Sequence, residues 1–232
     1  DGYVHTGRNS LLYFDNAIMN ARDTNYDDCA NGYTVQIIAQ RADSLKNRLV
    51  VYMGARIGFS DSNGTLGIWS ENANYIAFSS SLTFDNVYTK DVNSYTVAFD
   101  KTGVSASGDT MKVHGFVNGV HKVIDAVWKK NDNMGKFSPD SDDANVFAIR
   151  IYNYVLTEDE VDHNNLIDIA KFYAIDIDRI EYILSLDAEA KSAIMKEAYS
   201  IKLTREKSND TAAAELEAII AKYAPEEPTL EG

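Results

Sequence analysis

The 232-residue sequence predicts a mainly β chain: a two-sheet antiparallel sandwich over residues 1–156, a C-terminal α-helical extension over 157–223 and an acidic disordered tail or linker over 224–232. Three observations predict it. Short runs rich in β-branched and aromatic residues recur about every ten positions before residue 156, and apolar and polar residues alternate within them. No helical period interrupts these runs, which argues for stacked antiparallel sheets rather than a parallel sheet with crossover helices. After Thr157 the apolar period changes from two to that of a helix.

Ten runs read as strands: Ser10–Asp15, Tyr33–Gln40, Arg48–Gly54, Ala55–Asp61, Thr65–Trp69, Tyr75–Phe78, Ser94–Asp100, Lys112–Val117, Val120–Val127 and Val146–Asn153. In the run around Tyr95, the side chains of Tyr95, Val97 and Phe99 share one face and those of Thr96, Ala98 and Asp100 the other, the mark of a strand in an antiparallel sheet. Two turns pair strands outright. Asn118-Gly119 stands between Val117 and Val120, and Gly64 closes Asp61-Ser62-Asn63-Gly64 between two runs; Asn-Gly is the strongest short hairpin signal.

Thr157-Glu158-Asp159-Glu160 fits the S/T-x-x-E capping box and predicts a helix start within two residues of Thr157. Leu166, Ile169, Ala170 and Tyr173 then recur at i, i+3, i+4, i+7, as do Leu216, Ile219, Ile220 and Tyr223, with Ala190, Ile194, Ala198 and Ile201 on one stripe between them. Three or four helices follow, broken at Ile175–Asp178, at Ser185–Asp187 with Asp187 as a cap, and at Lys207–Asp210. The final APEEPTLEG is Pro-spaced and acidic.

The net charge of −13 is uneven: 14 Lys/Arg against 17 Asp/Glu in residues 1–150, and 8 against 18 in 151–232. An acidic helical surface repels phosphate backbones, so neither nucleic acid nor an anionic membrane is an expected partner. No apolar run nears the ~18 residues a membrane span needs, so membrane insertion is not expected. The single cysteine, Cys29, excludes an internal disulfide and a thiolate metal cluster.

Residues 146–164, VFAIRIYNYVLTEDEVDHN, resemble the closing segment of bacterial laminin G-like, concanavalin A-like domains, a strand of the form (V/A)-x-R-(I/V)-Y-N followed by x-L-T-x-x-E-(I/V)-x-x-N. Arg150, Ile151, Tyr152, Asn153, Leu156, Thr157, Glu160, Val161 and Asn164 hold the matching places. Upstream, SLLYFD resembles the first strand of such domains. MKVHGFVNGV resembles their L-x-x-Y-V-N-G hairpin, with Phe116 where Tyr is usual. The resemblance covers about residues 8–173. It implies a jelly roll whose first and last strands lie side by side, here Ser10–Asp15 beside Val146–Asn153, in secreted or cell-surface bacterial proteins that carry neighbouring modules. Ligands in the family vary, because function sits in loops the fold does not dictate.

Sandwich glucanases of this shape need two carboxyl groups across the scissile bond, borne on a strand as E-x-D-x-E. Glu71 is the only Glu before residue 151, and Glu158-Asp159-Glu160-Val161-Asp162 sits in the helix cap. An enzyme is therefore not expected. The four histidines lack a G-x-S-x-G elbow; His114 and His121 flank the Asn118-Gly119 turn and should approach each other across the ladder, yet two ligands are too few for zinc.

Sugar binding needs an aromatic plane flanked by amides or carboxylates. Trp128, followed by Asn131, Asp132 and Asn133, is the first candidate, and Trp69 with Glu71, Asn72, Asn74 and Tyr75 the second; either Trp also reads as core. Asp140, Asp142 and Asp143 crowd one loop before the closing strand, the oxygen-rich kind that calcium takes, and Asp23, Asp27 and Asp28 form another. Turn formation accounts for the same composition. Three functions compete: a non-catalytic extracellular carbohydrate-binding or adhesion module with a glycan or surface polysaccharide as partner, a structural or assembly module without a glycan, and an Asp-based or degenerate glycoside hydrolase.

Overall fold

The structure, a computed structural model, describes residues 4–6, 12–13, 31–41, 48–52, 56–70, 78–105, 108–127, 136–137, 144–173, 177–198 and 209–224. Among them are twelve strands: β1 (Val4–Thr6), β2 (Leu12–Tyr13), β3 (Gly32–Arg41), β4 (Arg48–Tyr52), β5 (Arg56–Ser62), β6 (Thr65–Ser70), β7 (Phe78–Asp85), β8 (Asn93–Asp100), β9 (Thr110–Val117), β10 (Val120–Val127), β11 (Lys136–Phe137) and β12 (Ala144–Tyr152). They form two six-stranded sheets, in the orders β1-β12-β3-β8-β9-β10 and β2-β11-β4-β5-β6-β7. The fold is mainly β, a two-sheet antiparallel sandwich with helices at the C-terminal side.

The core follows from the period of two. Register sets Tyr33 opposite Phe99, Val35 opposite Val97 and Ile37 opposite Tyr95, so these side chains share one face of the first sheet. That face meets the second sheet: the Tyr95 ring lies 4.6 Å from the Phe59 ring of β5. Gly115 of β9 belongs to the same layer, since a Cβ there would come within 3.1 Å of Leu82 and 3.3 Å of Ile68. Phe59, Leu66, Ile68, Leu82, Tyr95 and Phe99 are fully buried between the sheets.

The opposite face of β3 and β8 is buried too, although it is polar. Thr34, Gln36 and Thr96 are at most 1% exposed. The Thr34 hydroxyl donates to the Tyr154 carbonyl at 2.9 Å and accepts from the Leu156 N–H at 2.9 Å, while Arg150 donates to the Gln36 amide oxygen at 3.2 Å. Arg150 and Tyr152 of the closing motif stand opposite Gln36 and Thr34, so their first task is to bind the last strand to the sheet.

One expectation is overturned. The run Ser10–Asp15 does not flank the closing strand; Leu12–Tyr13 pairs with β11 in the second sheet, and β1 takes the place beside β12, with Val4 opposite Val146. Both β1 and β11 are too short to show a period. Strand β7 covers Phe78–Asp85; of the run expected at Tyr75–Phe78, residues 75–77 lie outside the described residues.

The chain divides into two compact units, residues 1–117 with 121–156, and residues 157–232 with the tip 118–120. The second contains α1 (Glu158–Tyr173), α2 (Ile177–Ser185), α3 (Ala188–Ala198) and α4 (Asn209–Tyr223). Both helix starts signalled by a cap carry that cap. The Thr157 hydroxyl accepts the Glu160 N–H at 3.3 Å while the Glu160 carboxylate accepts the Thr157 N–H at 2.8 Å, and Asp187 accepts the Ala190 N–H at 2.9 Å. Leu166, Ile180, Ile183, Ile194, Met195, Leu216 and Ile220 make this unit's own apolar core. Among the described residues no helix is long and apolar enough to cross a membrane.

Candidate functional site

The candidate site among the described residues is the connection from β7 to β8, which carries the chain from the second sheet to the first. Its sequence, Asn86-Val87-Tyr88-Thr89-Lys90-Asp91-Val92, lacks a hydrophobic run to bury, so polar bonds must hold it. The Asp61 carboxylate at the end of β5 accepts both the Thr89 N–H, at 2.6 Å, and the Thr89 hydroxyl. Thr89 is 1% exposed and its carbonyl accepts the Arg41 N–H at 2.7 Å. Gln40 donates to the Lys90 carbonyl at 2.9 Å. Beneath the loop, the buried Asn93 amide lies 2.8 Å from the Tyr88 carbonyl, 2.9 Å from that of Asp91 and 3.0 Å from the Tyr95 hydroxyl. Burial drives the Tyr95 hydroxyl far above its ordinary pKa, so it stays protonated and the network neutral there.

This scaffold presents one aromatic ring. Tyr88 is 39% exposed. Its hydroxyl end lies over the Asn63-Gly64 turn, where φ is 50° and 82°, and a Cβ on Gly64 would come within 2.8 Å of that oxygen. Glycine is required there both by the left-handed backbone and by the ring. The Val87 N–H closes the contact by donating to the Gly64 carbonyl at 3.2 Å. Lys90 Nζ stands 5.2 Å from the ring centroid. Around the ring Asn63, Asp85, Asn86 and Lys90 are exposed, supplying amide, carboxylate and ammonium groups.

His114 and His121 do approach each other, Nδ1 to Nε2, at 3.1 Å, and His121 stacks on Phe116 with centroids 4.1 Å apart. Burial and the neighbouring His121 lower the His114 pKa, which keeps that imidazole neutral at neutral pH. Among the described residues no group of three or more His, Cys, Asp or Glu could hold a metal ion. The two imidazoles stack with centroids 5.3 Å apart, a cross-strand contact.

The candidates Trp128, Asn131, Asp132 and Asn133 lie outside the described residues, as do Asp140, Asp142 and Asp143, the loop Asp23, Asp27 and Asp28, and residues 71–75. Trp69 is placed in β6 opposite Gly58. Sequence reasoning passed over Tyr88, although the signal was present: an aromatic set among Asn, Asp and Lys between two strands, the same composition that singled out Trp128.

No protein-family model and no curated protein matches the chain. Among solved structures it is similar to the CBM40 domain of the Ruminococcus gnavus IT-sialidase, determined with alpha2,3 sialyllactose bound, at 12% identity and a TM-score of 0.44 over 69% of this chain and 95% of that one. It is similar to the binding domain of botulinum neurotoxin serotype D/C at 13% identity and a TM-score of 0.38, over 65% of this chain but only 38% of the toxin domain's length. The alginate lyase vAL-1 from Chlorella virus matches at 14% identity and a TM-score of 0.33, over 54% of this chain and 72% of the lyase.

Proposed function

We propose that the chain is a non-catalytic, extracellular carbohydrate-binding or adhesion module of a bacterial surface protein, and that it meets its glycan at the Tyr88 loop. The carrying observation is that Tyr88 stays 39% exposed although the loop beneath it is bonded on all sides. A pyranose offers an apolar face to a ring and hydroxyls to the groups around it, and the cost of ordering such a site is already met when the loop is rigid before binding. Exposed Asn63, Asn86, Asp85 and Lys90 supply the donors and acceptors. The laminin G-like, concanavalin A-like signature at residues 146–164 supports the finer class and the secreted or cell-surface setting. Absence of catalysis is inferred from Glu71 being the only Glu before residue 151.

A glycan array probed with the whole chain, with and without calcium, tests the reading. Tyr88→Ala should weaken binding by about 2 kcal/mol, roughly thirtyfold, while the sandwich still folds, because the bonds from Asp61, Gln40 and Asn93 that hold the loop do not involve the ring. A calcium requirement would bring the loop of Asp140, Asp142 and Asp143 into the site. Binding of no glycan, or binding indifferent to Tyr88→Ala, would overturn the assignment.

A further inference from the structure

At 44% exposed, Tyr154 shows more of its surface than Tyr88 does at 39%. It lies in residues 153–157, between β12 and α1, and its backbone is fixed all the same. The buried Thr34 hydroxyl donates to the Tyr154 carbonyl at 2.9 Å and accepts the Leu156 N–H at 2.9 Å, so one side chain of β3 clamps the segment at two points. Between those points Val155 packs against Gly32, where a Cβ would come within 2.7 Å of it. The clamping strand is itself paired on both sides, with β8 and with β12.

The Tyr152 ring meets that of Tyr154 at 73° with centroids 5.6 Å apart. Such a T-shaped contact takes the edge of one ring and one face of the other, so at least one face of Tyr154 stays outside it. Polar side chains stand at the same end of the sheet. Asn153 is exposed next to the ring, and exposed Asn31 precedes Gly32. The Asn31 carbonyl accepts the Lys101 N–H at 3.0 Å, which brings exposed Thr102 alongside.

We infer that Tyr154 is a second carbohydrate platform, taking the apolar face of a pyranose while the Asn153 and Asn31 amides and the Thr102 hydroxyl address its hydroxyls. The inference rests on the reading of the chain as a carbohydrate-binding module and adds a site which that reading does not use. Tyr154 and Tyr88 belong to opposite ends of β3: Thr34 clamps the first, while Gln40 and Arg41 hold the loop of the second. Residues 34 and 41 are separated by about 23 Å of strand. A disaccharide does not span that distance, so each ring meets its own sugar and one chain can bridge two glycans. Two amides and a hydroxyl flank Tyr154, against the amides, carboxylate and ammonium around Tyr88, so the second site takes neutral sugars and is the weaker of the two.

Amide NMR spectra of the whole chain, titrated with cellobiose, lactose, maltose and mannobiose from about 1 to about 50 mM, read the two sites apart. At least one of these sugars should shift the amides of Asn31, Gly32, Asn153 and Tyr154, as a set distinct from Gly64, Val87 and Thr89 beside Tyr88. Sorbitol, which has hydroxyls but no ring, should shift neither set. Tyr154→Ala should weaken the first response at least tenfold and leave the second; the variant still folds, because Thr34 bonds the backbone carbonyl and not the ring. Asn153→Ala, which leaves the ring and its clamp in place, should weaken the first response several-fold. A first set silent while the second responds, a first set unmoved by Tyr154→Ala, or the same shifts with sorbitol would overturn the second site. A first set that responds while the second stays silent would uphold it and refute the Tyr88 assignment, and silence in both would remove both.

Discussion

The carboxyl of Asp61 in the sandwich and that of Asp162 in the first turns of α1 are both withdrawn from water, and the chain treats them in opposite ways. One oxygen of Asp61 accepts two hydrogen bonds from Thr89. Asp162 is 7% exposed, and its Oδ1 meets no donor. Burial raises the Asp162 pKa from its ordinary 3.8 to about 7, helped by Glu158 and Asp159 and opposed by Lys191 of α3. Shelter stabilises an acid only where donors replace the lost water; elsewhere the acid keeps its proton or weakens the fold.

The largest effect tests the unsatisfied member. Because the folded pKa of Asp162 is raised, the folded helical unit holds a proton that the unfolded chain releases. Stability is therefore full below about pH 4, falls as pH rises toward 7 and levels above it. The loss amounts to up to about 4 kcal/mol. Asp162→Asn should flatten this dependence and raise the helical melting temperature at pH 8. Melting curves from pH 4 to 8 that stay parallel in the two proteins would break the comparison.

Asp61→Ala should act in the opposite direction, leaving the buried Thr89 N–H and hydroxyl without an acceptor, at a cost of about 2–3 kcal/mol. It should also abolish glycan binding at Tyr88 while Asp162→Asn leaves it intact. Denaturant unfolding unaffected by Asp61→Ala would show that the loop is held by its other bonds. The smallest effect sharpens the contrast within α1 itself: Glu160, in the same turn as Asp162, is exposed and bonded to Thr157. Thr157→Ala should cost only about 1 kcal/mol, read from the same melting transition.

How much of this was legible varies by residue. The hairpins at Asn63-Gly64 and Asn118-Gly119, the alternation through β3 and β8, and the caps at Thr157 and Asp187 are local signals, and each is written in two to four adjacent residues. The place of β1 beside β12 is not local, since three residues carry no period and their partner lies about 140 positions away. Tyr88 failed for another reason. Its exposure is decided by Asp61, Gln40 and Asn93, which come from three other strands, so the loop's composition signals a site only after the sheets have brought those residues beneath it.

Strand β3 lies between β8 and β12, with Thr34 opposite both Ala98 and Tyr152. One side of its ladder can form once Asn93–Asp100 has been made; the other must wait for Ala144–Tyr152, some fifty residues later. Until then, a strand whose both faces end up buried offers an open edge. Closing so wide a loop is entropically slow, and sheets of distant strands fold in milliseconds to seconds rather than microseconds. Synthesis and refolding therefore share one vulnerable interval, in which the half-paired β3 can recruit a foreign strand, and its length is governed by how soon β12 arrives.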